Sequence, residues 1–292
     1  MIISHIIGGL GNQMFQYALG RSRSLALGVP LKLGVSDFAR YGLHHGFELD
    51  RAFDGQFVPA SDADMRAVLG WRRSWICRRI LINRRAAFFR GPKLVVEPYF
   101  GYWPGISETT DGCYLVGNWQ SEKYFRDIEK TIRADFEFRK PPNERNQEWI
   151  SRIESCEAVS LHVRRGDYAT SAKTLAVLGL LPQDYYRSAV DLVANRTGSP
   201  EFFIFSDDIP WARDHLKIPF PCHYIDHNKG PDSHNDMRLM SICRHHIIAN
   251  SSFSWWGAWL NPEPDKIVVA PRRWFANGWD IKDLIPEGWV SL

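Results

Sequence analysis

The sequence predicts an α/β protein built on parallel sheets and divided into two lobes. Three observations carry this. Apolar runs at residues 158–163, 202–205, 223–225, 247–249 and 267–270 alternate with helical stretches, the pattern of a parallel sheet with crossover helices. At the N-terminus an apolar run, residues 2–7, leads through a glycine-rich turn at 8–12 into a helical stretch at 13–27 that closes on Gly28 and Pro30. The 292 residues also lie at the upper end of the roughly 250 to 300 at which a single core stops growing.

The elements in order give a strand, loop and helix unit first, then a stretch from Asp37 to Gln120 in which motifs are sparse. Pro141, Pro142 and the polar run to Gln147 mark a lobe boundary, giving lobes at 1–150 and 151–292. Hydrophobic content of 45% with 24% charged residues is globular composition, so the chain folds throughout. A net charge of +3 demands neither nucleic acid nor a membrane. Cys77, Cys113, Cys156, Cys222 and Cys243 are scattered without zinc-site spacing and read as reduced thiols. No stretch reaches ~18 apolar residues, and residues 1–7 lack a basic lead or a cleavage site. The expected location is cytoplasmic, either soluble or peripheral on the inner membrane face.

Ligands of parallel sheets lie beyond the carboxyl ends of the strands. The run at 158–163 leads into Arg164, Arg165, Gly166, Asp167 and Tyr168, following His162. Adjacent arginines on a glycine turn offer forked, permanently charged donors suited to a diphosphate. Asp167 has two readings, a general base or a clasp on an arginine. The next run ends in Asp207 and Asp208, which chelate one ion poorly because neighbours in an extended segment point to opposite faces. One carboxylate suits two N–H donors of a guanine edge, and an aspartate ahead of Ile209, Pro210 and Trp211 suits helix capping. Ser251, Ser252 and Phe253 open another helix, readable as an anion site or as a serine cap before an aromatic core helix. Aspartates, serines and arginines at three strand ends suit a bound nucleoside diphosphate as leaving group, its growing charge stabilised by fixed cations.

Between Trp71 and Lys93 stand eight arginines and lysines and no acid, interleaved with Trp71, Trp75, Ile76, Ile80, Leu81, Phe88 and Phe89. Peripheral contact with an anionic membrane and a solvated basic face over the core both fit. Trp255, Trp256 and Trp259 have the spacing of core packing, which leaves Trp103, Trp119 and Trp274 as candidate sugar contacts. The pairs His44/His45 and His245/His246 lack metal-site spacing.

Five stretches carry a resemblance: residues 8–17 (GGLGNQMFQY), 117–125 (GNWQSEKYF), 162–168 (HVRRGDY), 203–208 (FIFSDD) and 250–260 (NSSFSWWGAWL). In this order they resemble glycosyltransferase family 11, the alpha-1,2-fucosyltransferases, bacterial members above all. The resemblance implies a GT-B-like pair of Rossmann-type lobes, with an acceptor-side N-terminal lobe, a C-terminal donor lobe and the donor site in the cleft. It implies inverting transfer from GDP-fucose to the 2-hydroxyl of a terminal galactose on a glycan, with no metal or other cofactor; the basic stretch at 71–93 is consistent with a lipid-linked acceptor and, standing without a recognised binding fold, argues against nucleic acid. On this sequence it places His162, Arg164 and Arg165 in the donor motif, with Arg164 foremost in catalysis. One of Asp207 and Asp208 falls on a guanine contact, and Ser251, Ser252 and Phe253 on a phosphate-side loop. Gly9, Gly11 and Asn12 fall on a turn beside the reacting centre, where Asn12 orients a hydroxyl. Asn118 stands where many bacterial members carry an aromatic residue, a departure that bears on acceptor fit.

Overall fold

The computed structural model describes residues 1–292 apart from Leu43, Asp167, Ala169 and Thr170. It forms two units, Met1–Arg139 with Lys282–Leu284, and Lys140–Ile281 with Ile285–Leu292. The division falls just ahead of Pro141. A boundary at residue 150 would cut the helix Glu144–Glu154, whose Ile150 and Ile153 pack into the core of the second unit, so the earlier division is the correct one.

The first unit is a four-stranded parallel sheet of β1 (Ile2–His5), β2 (Leu31–Gly34), β3 (Leu94–Val96) and β4 (Cys113–Val116), in the order β2-β1-β4-β3. Helix α1 (Leu10–Leu27) crosses from β1 to β2 and closes at Gly28, whose φ of 63° suits the residue without a Cβ. α1 begins at Leu10 rather than after the glycine turn, because the Gly9 carbonyl accepts the N–H groups of both Asn12 and Gln13. Helices α2 (Asp62–Leu69) and α3 (Trp75–Ile82) supply Met65, Val68, Leu69 and Leu81 to a core that also takes Ile3, Leu94, Tyr114 and Val116 from the sheet. The polar N-terminus of α2 is closed by a reciprocal cap between Ser61 and Asp64.

The second unit is a six-stranded parallel sheet of β5 (Glu157–Val163), β6 (Pro200–Ser206), β7 (Cys222–Ile225), β8 (His245–Ile247), β9 (Val268–Ala270) and β10 (Val290–Ser291). Its order, β10-β9-β8-β5-β6-β7, is the doubly wound arrangement in which the chain runs outward from β5 to one edge, then returns to β8 and runs to the other. Alternation along β6 shows how both faces are buried. Phe202 and Ile204 pack with Val190 and Val193 of α5 (Gln183–Ala194). Phe203 and Phe205 pack with Ile150 and Ile153 of α4 (Glu144–Glu154) and with Leu239 and Met240. Helices α6 (Ile209–His215), α7 (His234–Ile242) and α8 (Ser252–Leu260) complete the crossovers. No helix among the described residues is long and apolar enough to cross a membrane.

Candidate active site

β5 and β8 are neighbours, and the chain leaves them toward opposite edges of the sheet, so their carboxyl ends border the switch-point crevice. Arg164 and Arg165 follow β5, while Asn250, Ser251 and the start of α8 follow β8. Asp207, just past β6, organises the arginines. Its Oδ2 lies 3.0 Å from Arg164 Nη1, and its Oδ1 accepts the Arg165 backbone N–H at 2.8 Å. Gly166 makes this possible, since a Cβ there would come 2.5 Å from Asp207 Oδ2. The Arg164 guanidinium also lies 5.4 Å from the Tyr168 ring, and the Tyr168 hydroxyl donates to the Asn250 carbonyl at 3.1 Å, tying the two loops together.

Arg165 stacks on Trp211, 3.9 Å from the ring centroid, and its Nε lies 3.5 Å from Asp208 Oδ2. Asp208 caps α6, its Oδ1 accepting the Trp211 N–H at 3.1 Å, with Pro210 in the first turn. The two aspartates therefore divide the tasks: Asp207 clasps the arginine loop and Asp208 holds the helix. His162, at the end of β5, is buried against Phe253 with ring centroids 6.1 Å apart. Burial pushes its imidazole down to about 4, with Arg164 adding to the shift and Asp207 opposing it, so the ring is neutral at neutral pH. Two buried polar atoms around this crevice, His162 Nδ1 and Asn250 Oδ1, have no hydrogen-bond partner among the described residues, and Arg165 Nε has only the long ion pair to Asp208. Buried polar groups are rarely left so, and their meeting at the adjoining ends of β5 and β8 suits a polar ligand. At the same edge the N-terminus of α8 presents first-turn N–H groups beyond Ser251.

In the first unit the ends of β1 and β4 meet in the same way. Gly8 has a φ of 90°, and a Cβ there would come 2.9 Å from Asn12 Nδ2. Asn12 Oδ1 accepts from Gln120 Nε2 at 2.8 Å, joining the turn after β1 to the turn after β4. Two buried glutamines hold this frame. Gln13 donates to the carbonyls of Gly8 and Gly46 and accepts the Glu48 N–H. Gln16 accepts the Ile7 N–H and donates to the Gly117 carbonyl at 3.2 Å. Glu97, just past β3, receives the N–H groups of Asn118 and Trp119.

A sequence model described as Glycosyl transferase family 11 matches residues 106–292. The chain belongs to that family. Along its full length it is 32% identical to an alpha-1,2-colitosyltransferase of Escherichia coli, the match covering 100% of this chain and 99% of that one. It is 31% identical to a galactoside 2-alpha-L-fucosyltransferase, SEC1, of Bos taurus over 35% of this chain and 28% of that one. Its fold is similar to that of the fucosyltransferase NodZ from Bradyrhizobium, with a TM-score of 0.52 at 15% identity, covering 89% of this chain and 92% of that one. The family 11 chain is thus a glycosyltransferase of the GT-B-like α/β class.

The structure brings His162, Arg164, Arg165, Asp207, Asp208, Ser251, Ser252 and Phe253 to the strand ends of the second unit, and Gly9, Gly11 and Asn12 to the first turn of α1. Asp167 lies outside the described residues. The sugar-contact expectation fails for two tryptophans. Trp119 is fully buried edge-on against Tyr124, and Trp274 is buried with its carbonyl bonded to Asn250, so neither offers a ring face. Trp103 is half-buried and Asn118 exposed, so both keep access to solvent. Gln13, Gln16, Gln120 and Glu97 went unmarked by the sequence reading. The signal for the first two was present, since amides on the buried face of a helix require partners.

Proposed function

We propose that this glycosyltransferase moves L-fucose from GDP-fucose to the 2-hydroxyl of a terminal galactose, with inversion and with arginine charge rather than a metal balancing the diphosphate. The observation that carries the reading is the Arg164–Asp207–Arg165 clasp at a Rossmann switch point, beside the N-terminus of α8 and the buried His162 Nδ1 and Asn250 Oδ1, which find no hydrogen-bond partner among the described residues. The acceptor oxygen bonds to the fucose anomeric carbon as the bond from that carbon to the β-phosphate oxygen breaks. GDP departs with the electron pair, and the hydroxyl proton passes to a base, for which Asp167 is the candidate of the motif. Arg164 and Arg165 meet the charge that grows on the phosphate oxygen, a stabilisation stronger in the transition state than before it. One of Asp207 and Asp208 reads the guanine, Gly9 and Gly11 let backbone approach the donor, and Asn12, fixed by Gln120, orients the acceptor hydroxyl.

A second donor, GDP-colitose, is favoured by the full-length match to the Escherichia coli colitosyltransferase. Purified protein incubated with GDP-fucose or GDP-colitose, galactose-terminated disaccharides and excess chelator decides between them. A fucosyl product linked alpha-1,2 supports the proposal, whereas a colitosyl product alone transfers it to the second donor. Absence of binding by either nucleotide sugar overturns both.

A further inference from the structure

We propose that residues 71–93 of the first unit form a docking surface for an anionic lipid membrane. Large apolar side chains that ordinarily go inside are here outside. Phe88 is 93% exposed, Phe89 65%, Trp71 63%, Ile76 62% and Ile80 60%. Scattered exposed apolar residues are ordinary, but five within nineteen positions are a patch.

The patch is held in shape by its own residues. α3 buries Arg78 and Leu81 on its inner face, which leaves Ile76, Arg79 and Ile80, spaced three and four apart, as an outward stripe. Arg90 donates to the Leu81 and Ile82 carbonyls and closes that helix, while Arg72 donates to the Phe89 carbonyl at 3.3 Å and lies over the Trp71 ring. The Phe88 and Phe89 rings meet edge to face, 5.7 Å apart, on the turn that follows.

Charge selects the partner. The segment holds eight basic residues and no acid. Asp37, which reaches it from outside, is already committed to Arg78 and His5. Arg73, Arg79, Arg85 and Lys93 form no ion pair among the described residues. Aromatic and aliphatic side chains interleaved with cations fit the boundary between acyl chains and anionic headgroups, where the rings insert and the guanidinium groups meet phosphate.

The full chain would be sedimented with vesicles of phosphatidylcholine alone and of phosphatidylcholine with phosphatidylglycerol. Wild type should pellet with the anionic vesicles only, and less at high salt. Arg79→Gln with Arg85→Gln should weaken binding by roughly 25-fold, at about 1 kcal/mol per cation. Phe88→Ser with Phe89→Ser should weaken it comparably while leaving turnover on a soluble acceptor unchanged, since these rings are exposed in the fold. Equal binding to both vesicle types, or anionic binding that survives the phenylalanine changes, overturns the proposal. So does a wild-type dimer that the phenylalanine changes dissociate, because the patch then belongs to a second copy of the chain.

Discussion

Glu97 holds Trp119 in a left-handed backbone conformation. Its Oε1 accepts the Trp119 N–H at 3.1 Å and its Oε2 the Asn118 N–H at 2.7 Å, while Trp119 sits at a φ of 55°, a region that L-residues with a large side chain seldom occupy. The strained residue lies one position before Gln120, the amide that fixes Asn12.

The buried Glu97 carboxyl gives this contact a pH signature. Burial raises it from 4.5 to about 7, against the two backbone N–H groups that favour the charged form. The folded state then binds the proton more tightly than the unfolded chain. Stability from this group is fully present below pH 4.5 and is lost as pH rises toward 7, at up to about 1.4 kcal/mol per pH unit. Urea unfolding of wild type and Glu97→Gln across this range should show that decline in wild type and its loss in the variant. Parallel curves would remove Glu97 as the source.

Arg164 is exposed enough to reach a ligand and is anchored by Asp207. Arg164→Ala should lower turnover by about 150-fold, near 3 kcal/mol, with little change in thermal unfolding. Wild-type turnover in the folded variant would end its assignment to the leaving group.

Gly166→Ala tests the clasp itself. The added Cβ displaces the Asp207 carboxylate, and with it the guanidinium and backbone N–H that it holds. GDP affinity measured by calorimetry should fall about tenfold or more. An unchanged affinity would mean that the arginines find their positions without Asp207.

Asp208 carries a structural task separable from any nucleotide contact. Asp208→Ala should destabilise the protein by about 1 kcal/mol by exposing the Trp211 N–H, and Asp208→Ser should restore most of it. Equal melting temperatures for the two variants would show that the cap is not what the side chain provides.

The second unit was largely legible in the sequence because its strands are buried on both faces and read as unbroken apolar runs such as Phe202 to Phe205. The first unit was not, apart from β1 and α1. β2, β3 and β4 have three or four residues each, and their sequences LKLG, LVV and CYLV carry no period long enough to separate them from loop. The arginine loop was legible as chemistry, but nothing local in the sequence points to Asp207, forty-two positions after Arg165, as a partner of both arginines. The burial of Trp119 was hidden for the same reason. It lacks the helical spacing that marks Trp255, Trp256 and Trp259 as core, and only the pairing of β3 with β4 brings Glu97 to its backbone, with Tyr124 against its ring.

Asp283 accepts the Tyr102 N–H at 3.1 Å and pairs with Lys123 at 2.5 Å, completing the first unit from near the far end of the chain. During synthesis the ribosome therefore releases that unit's sheet long before its last anchor. The Gly101–Tyr102 loop, held until then by the Tyr124 hydroxyl on the Gly101 carbonyl, gains its second tether only when translation has passed the whole of the second sheet but β10. A nonsense mutation that spares every residue of the arginine loop but removes Asp283 still leaves the first unit unfinished.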